Sequence, residues 1–291
     1  MYEYHWDEET GGLLLTTNQA KFSKEPRPVY YQELDILGFD EFWNYPKDKS
    51  APLMWAEANN YIYKGKHVAR TKGGSLYTKP EIVLLDEPEP DGGMLEFVNI
   101  QAMCDKNRSI LETLVQETIQ KIYNTYMEYR KKIDIYYVAF SGGKDSVVAL
   151  DLVQRALPHD GFLVLFGDTQ MEFSDTYELV EKQKDICKKE NIKFIIAKSE
   201  QEPGYTWREF GTPSQTMRWC CSVHKTAPQI LTLRELTGNP SFRGMAFTGI
   251  RGDESVSRSQ YEDITYGGKH KGQYSCHAIL DWSSAEVFLY I

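Results

Sequence analysis

The sequence predicts an α/β protein: a parallel, doubly wound sheet with helices on both faces, preceded by a small N-terminal α+β accessory module. Three observations lead there. Short apolar runs at residues 133–140, 162–166, 194–197 and 245–248 alternate with segments whose apolar residues recur every three or four positions. A glycine turn hands the first run directly to the first periodic segment. Residues 1–93 lack this alternation, being aromatic-rich and irregular.

Taken in order, residues 1–93 show strand-like runs at 61–63 and 82–85. One hairpin is expected, with Lys64-Gly65-Lys66 as its turn, His67 to Arg70 as the return strand and Gly73-Gly74 as its end. Residues 86–93 are acidic and rich in Pro and Gly, which continue neither a strand nor a helix, so a domain boundary is placed there. Residues 94–132 read as a linking helix. Its apolar stripe comprises Ile110, Leu111, Leu114, Val115, Ile119, Ile122, Tyr123 and Tyr126.

The catalytic domain is expected over residues 133–291. Strand 133–140 leads into a helix carrying Val147, Val148, Leu150, Leu152 and Val153, then strand 162–166, helix 174–189 and strand 194–197. Helix 227–236 and strand 245–248 follow. Such alternation implies right-handed crossovers, with ligands at the carboxyl ends of the strands. Ser283-Ser284-Ala285-Glu286 has the form of a capping box, and its helix reaches Ile291 after about two turns. A natural chain that runs on beyond Ile291 is the expectation.

The 291 residues are 41% hydrophobic and 26% charged, an ordinary globular composition. No apolar run approaches a membrane span and the first nine residues are acidic, so neither a signal peptide nor a membrane partner is expected. Five scattered cysteines make no disulfide framework, and a reducing cytoplasm fits them. The net charge of −9 argues against wholesale electrostatic capture of nucleic acid.

Ser141-Gly142-Gly143-Lys144-Asp145-Ser146 lies where a predicted strand meets a predicted helix. Two glycines let the backbone turn through positive φ and admit an anion without a Cβ in the way. First-turn amides and the helix dipole then favour phosphate, with Ser141 and Ser146 as hydroxyl donors and Lys144 as cation. A tight turn capped by Asp145 or Ser146 is the alternative. The spacing is not that of the P-loop.

This Ser-Gly-Gly-x-Asp-Ser string resembles the PP-loop of the N-type ATP pyrophosphatases. With Lys144 it is similar to the branch holding phosphoadenosine phosphosulfate (PAPS) reductases, the ATP sulfurylase small subunit and the related DNA phosphorothioation enzyme. Three further segments agree. Residues 167–173, with Asp168 and Thr169 before Glu172-Phe173, resemble the family's Asp-Thr-Gly segment before Glu-Phe. Arg218-Trp219-Cys220-Cys221, followed by Lys225 and Pro228, is similar to its Cys-Cys segment. Gly249-Ile250-Arg251-Gly252-Asp253-Glu254-Ser255 with Arg258 is like its Gly-x-Arg-x-x-Glu-Ser-x-x-Arg segment.

The resemblance implies a PP-loop ATPase-like domain that binds ATP or PAPS, with magnesium accompanying ATP. It implies nucleotide contacts from Ser141, Gly142, Gly143, Lys144, Asp145, Ser146, Asp168, Thr169, Lys225, Gly249, Arg251 and Arg258. Lys144 and Arg251 would neutralise charge during transfer at phosphorus or sulfur. Asp168 suits a ribose hydroxyl or magnesium, or else the cap of the next helix, for which Ser174 is better placed. Arg251 and Arg258 suit two phosphate oxygens at once, or else surface ion pairs to Asp253 or Glu254.

Cys220 and Cys221 match an iron–sulfur pattern of the family that a downstream C-x-x-C completes; here only Cys276 follows, so the set stays incomplete, and two buried thiols are the alternative. The reductase terminus Glu-Cys-Gly-Leu-His is also absent from these residues. PAPS reduction and ATP-driven sulfur activation both stay open.

A second reading is a nucleic-acid modification or nucleotide-sensing component. Across residues 61–79, Lys64, Lys66, Arg70, Lys72 and Lys79 mix with Tyr61, Tyr63 and Tyr77, a mixture that could hold a single strand or merely form a solvated face. The partners considered are therefore an adenine nucleotide, a nucleic acid on this hairpin, and a second copy of the chain.

Overall fold

The computed structural model describes all residues except 21–23, 76, 88–92, 215 and 269. The chain folds as two compact units, residues 1–114 with 281–291, and residues 115–280.

In the first unit, β1 (Tyr2–Trp6) pairs antiparallel with β2 (Leu13–Gln19). A five-stranded antiparallel sheet then runs in chain order through β3 (Arg27–Val29), β4 (Met54–Glu57), β5 (Asn60–Tyr63), β6 (Lys66–Lys72) and β7 (Glu81–Leu84), with helix α1 (Tyr31–Leu37) between its first two strands. The β5–β6 hairpin turns on two residues, Lys64 at φ 42° and Gly65 at φ 80°. Two left-handed residues match the twist of the flanking strands, so Lys66 pairs with Tyr63 rather than completing the expected three-residue turn.

The stripe predicted on the linking segment belongs to helix α2 (Ile100–Tyr129). Asn107 on α2, 1% exposed, accepts from Leu15 N at 2.7 Å and donates to Leu13 O at 2.9 Å, which joins the helix to β2. The expected domain boundary falls largely on residues 88–92, outside the described residues. The division into units lies instead within α2, between Leu114 and Val115.

The second unit contains β8 (Ile135–Phe140), α3 (Lys144–Ala156), β9 (Leu163–Asp168), α4 (Ser174–Lys189), β10 (Lys193–Lys198) and α5 (Pro203–Phe210). A π-helical turn, Cys221–Thr226, then leads into α6 (Ala227–Thr237), followed by β11 (Gly244–Thr248), β12 (Ile264–Tyr266) and β13 (Gln273–His277). Strand order is β10-β9-β8-β11-β13-β12, parallel throughout except for the antiparallel edge strand β12.

Tyr137, Leu163, Leu165, Ala197 and Ala246 from four strands pack with Leu233 of α6, while α3 lies against β8 and β11. Strands covered on both faces read as continuous apolar runs, which is why the sequence exposed them. The chain adds β9 and β10 on one side of β8, then β11 and β13 on the other. The switch point of the sheet therefore lies between β8 and β11.

Helix α7 (Ser284–Tyr290) opens on the predicted capping box: Ser283 Oγ accepts from Glu286 N, and Glu286 accepts from Ser283 N at 2.5 Å and Tyr2 N at 2.6 Å. Ala285 and Leu289 pack with Leu13, Trp55 and Met103. That apolar cluster puts the last eleven residues with the first unit, rather than with the domain expected over 133–291.

Candidate nucleotide site at the sheet switch point

The turn after β8 enters α3 with Gly142 at φ 77° and Gly143 extended as the N-terminal cap. A Cβ on Gly142 would lie 3.0 Å from Thr176 Cγ2, so the first turn of α4 closes on this loop. Ser146 braces it: its hydroxyl donates to Gly143 O at 2.7 Å and accepts from Ser141 N and Ser141 Oγ, both at 3.2 Å. Ser146, expected as a donor to phosphate, thus spends its hydroxyl holding the turn. A helix start favours an anion through its first-turn amides and dipole, although here Ser146 N already donates to Gly143 O at 3.0 Å.

Gly249, just past β11, crosses this loop at close range. A Cβ there would sit 2.4 Å from Asp145 O and 2.8 Å from Ser146 N, so only glycine lets the two chain segments meet. Arg251 follows, 2% exposed, with Nε donating to Asp145 Oδ1 at 2.8 Å and Nη1 to Asp253 Oδ1 at 2.6 Å. Lys144 Nζ lies 2.9 Å from the other Asp145 oxygen.

Arg251, expected to grip the anion with both prongs, instead ties the segment after β11 to the first turn of α3. Neither is its pair with Asp253 the surface pair weighed as the alternative, since both side chains are almost wholly buried. Arg258 does pair with Glu254, partly exposed. Asp253 was legible only as a neighbour in sequence, because nothing local distinguishes a buried aspartate from a solvated one.

At the end of β9, Asp168 Oδ1 accepts from Gln170 N and Tyr177 OH, both at 2.8 Å. Burial, and then the bond to Asp168, raises the Tyr177 phenol above its ordinary pKa, so it serves as a donor. Thr169 donates to Glu172 at 2.7 Å. Helix α4 is capped by Phe173, with no side-chain bond, and Ser174 is its first residue rather than its cap.

The π turn packs against β9 and β10 and brings Lys225 to the same region of the sheet. His224 is fully buried; its Nε2 meets Thr206 Oγ1 at 2.8 Å, while its Nδ1 and the Nε1 of Trp219 have no partner among the described residues. Burial lowers the His224 pKa. Extra residues accommodated in a π turn are frequent at functional sites, and no periodicity in the sequence announces one.

Cys220 and Cys221 are half-buried rather than enclosed, and desolvation followed by its neighbour Cys221 raises the Cys220 pKa. Cys276 is buried in β13, pushed up to about 11 by desolvation. Among the described residues, no group of three or more Cys, His, Asp or Glu side chains gathers to hold a metal. The thiols present do not fit a four-thiolate cluster.

On the hairpin of the first unit, Tyr61 and Tyr63 are each 3% exposed. Tyr61 donates to Glu33 and Tyr63 accepts from Glu96 N, so neither offers a face for base stacking; Tyr77 alone of the three is exposed.

The phosphoadenosine phosphosulfate reductase domain model matches residues 135–291, more than half of the chain. The chain belongs to the PAPS reductase domain family. Its relatives include two uncharacterized proteins of Methanocaldococcus jannaschii. One is 33% identical over 65% of this chain and 37% of its own length; the other is 30% identical over 81% and 52%. An adenosine 5'-phosphosulfate reductase of Halalkalibacterium halodurans is 26% identical over 66% of this chain and 77% of its own. The chain thus spans about half or less of the two archaeal relatives. Within this PAPS reductase domain, no helix among the described residues is long and apolar enough to cross a membrane.

Proposed function

We propose that the chain is an enzyme of sulfur metabolism that binds an adenine nucleotide, ATP or PAPS, at the switch point, with the pyrophosphate or phosphosulfate group on the turn from Ser141 to Ser146. The observation that carries this reading is the meeting of an open glycine turn, a helix start and a close-crossing Gly249 between β8 and β11. Backbone amides around Gly142, Gly143, Lys144 and Asp145 bind the anion. Lys144 supplies a cation, and Lys225, which has no ion-pair partner among the described residues, supplies another from the π turn.

Arg251 acts as a positioning residue, holding Asp145 and through it the loop. Thr169 and Arg258 would add further contacts to the nucleotide. Asp168 keeps Oδ2 clear of the two bonds that occupy Oδ1, so it would take a ribose hydroxyl or share magnesium with the phosphates of ATP. Transfer at phosphorus or sulfur then depends on placement and charge neutralisation rather than on a side-chain base.

Calorimetry with ATP and with PAPS tests the reading. Binding in the micromolar to millimolar range is expected, lost in Gly143→Asp, where a Cβ meets only Ser141 Oγ at 3.5 Å and the added carboxylate repels the anion. Absence of binding by either nucleotide would reject it. Pyrophosphate release from ATP, against sulfite release from PAPS with a thiol donor, separates the two chemistries.

A further inference from the structure

The first unit holds a cavity of about 700 Å³ lined by Tyr2, Tyr4 and Trp6 of β1, by Lys24, and by Glu57 at the end of β4. That volume suits a small organic ligand. The Glu57 side chain is only 7% exposed, yet it is a carboxylate. Its Oε1 accepts from Tyr4 OH at 2.7 Å, and burial together with Glu57 raises the phenol's pKa, keeping it a donor.

Among the described residues, the cation paired with Glu57 is Lys24 Nζ, 3.4 Å from Oε2 on a side chain 74% exposed. A buried carboxylate needs a cationic partner, and a solvated lysine at that distance is a weak one. Its ammonium stands where the charged head of a ligand would stand. Tyr4 and Trp6 meet edge to face at 5.5 Å and wall the same cavity, and aromatic faces attract cations. Glu3 adds a second carboxylate to the lining, against Lys24 and the imidazoles of His5 and His67.

We propose that this cavity binds a small organic cation, an alkylammonium or alkylguanidinium. Its head displaces Lys24 from Glu57 and its alkyl part lies along Tyr2, Tyr4 and Trp6.

Calorimetric titration of the full chain with n-butylguanidinium, n-butylammonium and neutral n-butanol tests this. Saturable binding of both cations is expected, with n-butanol weaker by about ten-fold or more, and with a similar loss for the cations in Glu57→Gln. Lys24→Met, which removes the internal competitor, is expected to tighten cation binding several-fold. Equal binding of n-butanol, unchanged affinity in a folded Glu57→Gln, or no saturable binding of either cation overturns the proposal. Should Glu57→Gln fail to fold, Lys24→Met decides: tightening supports the site, and unchanged or weaker binding overturns it.

Discussion

The turn between β8 and α3 and the π turn before α6 both carry polar side chains out of water, and they satisfy them in opposite ways. In the first, the Ser146 hydroxyl bonds three times, and Asp145 is shared between Lys144 and Arg251. In and just before the second, His224 Nδ1 and Trp219 Nε1 are buried without partners among the described residues, each at a cost of about 1–3 kcal/mol. A closed polar network fixes a loop before any ligand arrives, whereas orphaned groups leave a segment that gains by rearranging. On the proposed function, the glycine turn is a preassembled cradle and the π turn, with Lys225, the part that adjusts to the nucleotide.

The largest expected effect comes from opening the network. Arg251→Met takes a cationic partner from the buried Asp253 carboxylate and leaves Asp145 to Lys144 alone, so urea denaturation should show a loss of about 3 kcal/mol. A loss under about 1 kcal/mol would mean that the loop stands without this brace.

Gly249→Ala should cost about 1–3 kcal/mol, because its Cβ meets backbone that cannot swing aside, and nucleotide affinity measured by calorimetry should fall with it. Unchanged affinity would detach the crossing from the cradle.

The smallest effect sharpens the other side of the comparison. Burial lowers the pKa of His224 and of His277, so both bind protons less readily folded than unfolded. Their stabilising contribution is present above the ordinary imidazole pKa of about 6.5 and is lost as pH falls through and below it. Thermal melts should therefore drop between pH 7 and pH 5, and His224→Gln should flatten part of that slope. A slope identical to wild type would show that the unpartnered imidazole does not couple to folding.

Much of the sheet was legible because its strands are apolar on both faces. Runs expected at 162–166 and 194–197 appear as Leu163–Asp168 and Lys193–Lys198, and the helix expected at 174–189 appears as Ser174–Lys189. Less visible were β1 and β2, whose alternation is mixed with polar residues, and the edge strand β12 with its neighbour β13, which carry partly exposed tyrosines. At the candidate site, the strand–turn–helix around Gly142 was written in local chemistry. The fate of Arg251 was not, because a guanidinium that reaches a phosphate and one buried between two aspartates have the same neighbours in sequence.

The sequence by itself determined the strand–helix alternation over residues 133–197, the glycine turn at a helix start and the capping box at Ser283, since each follows from backbone preferences within a few residues. Only the tertiary structure decided that Gly249 crosses Asp145 at van der Waals limits, that Arg251 faces inward, that Tyr61 and Tyr63 are core residues, and that α7 packs with Leu13. Those outcomes depend on which distant side chains share a low-dielectric interior, where burial sets the cost of every unpaired polar atom.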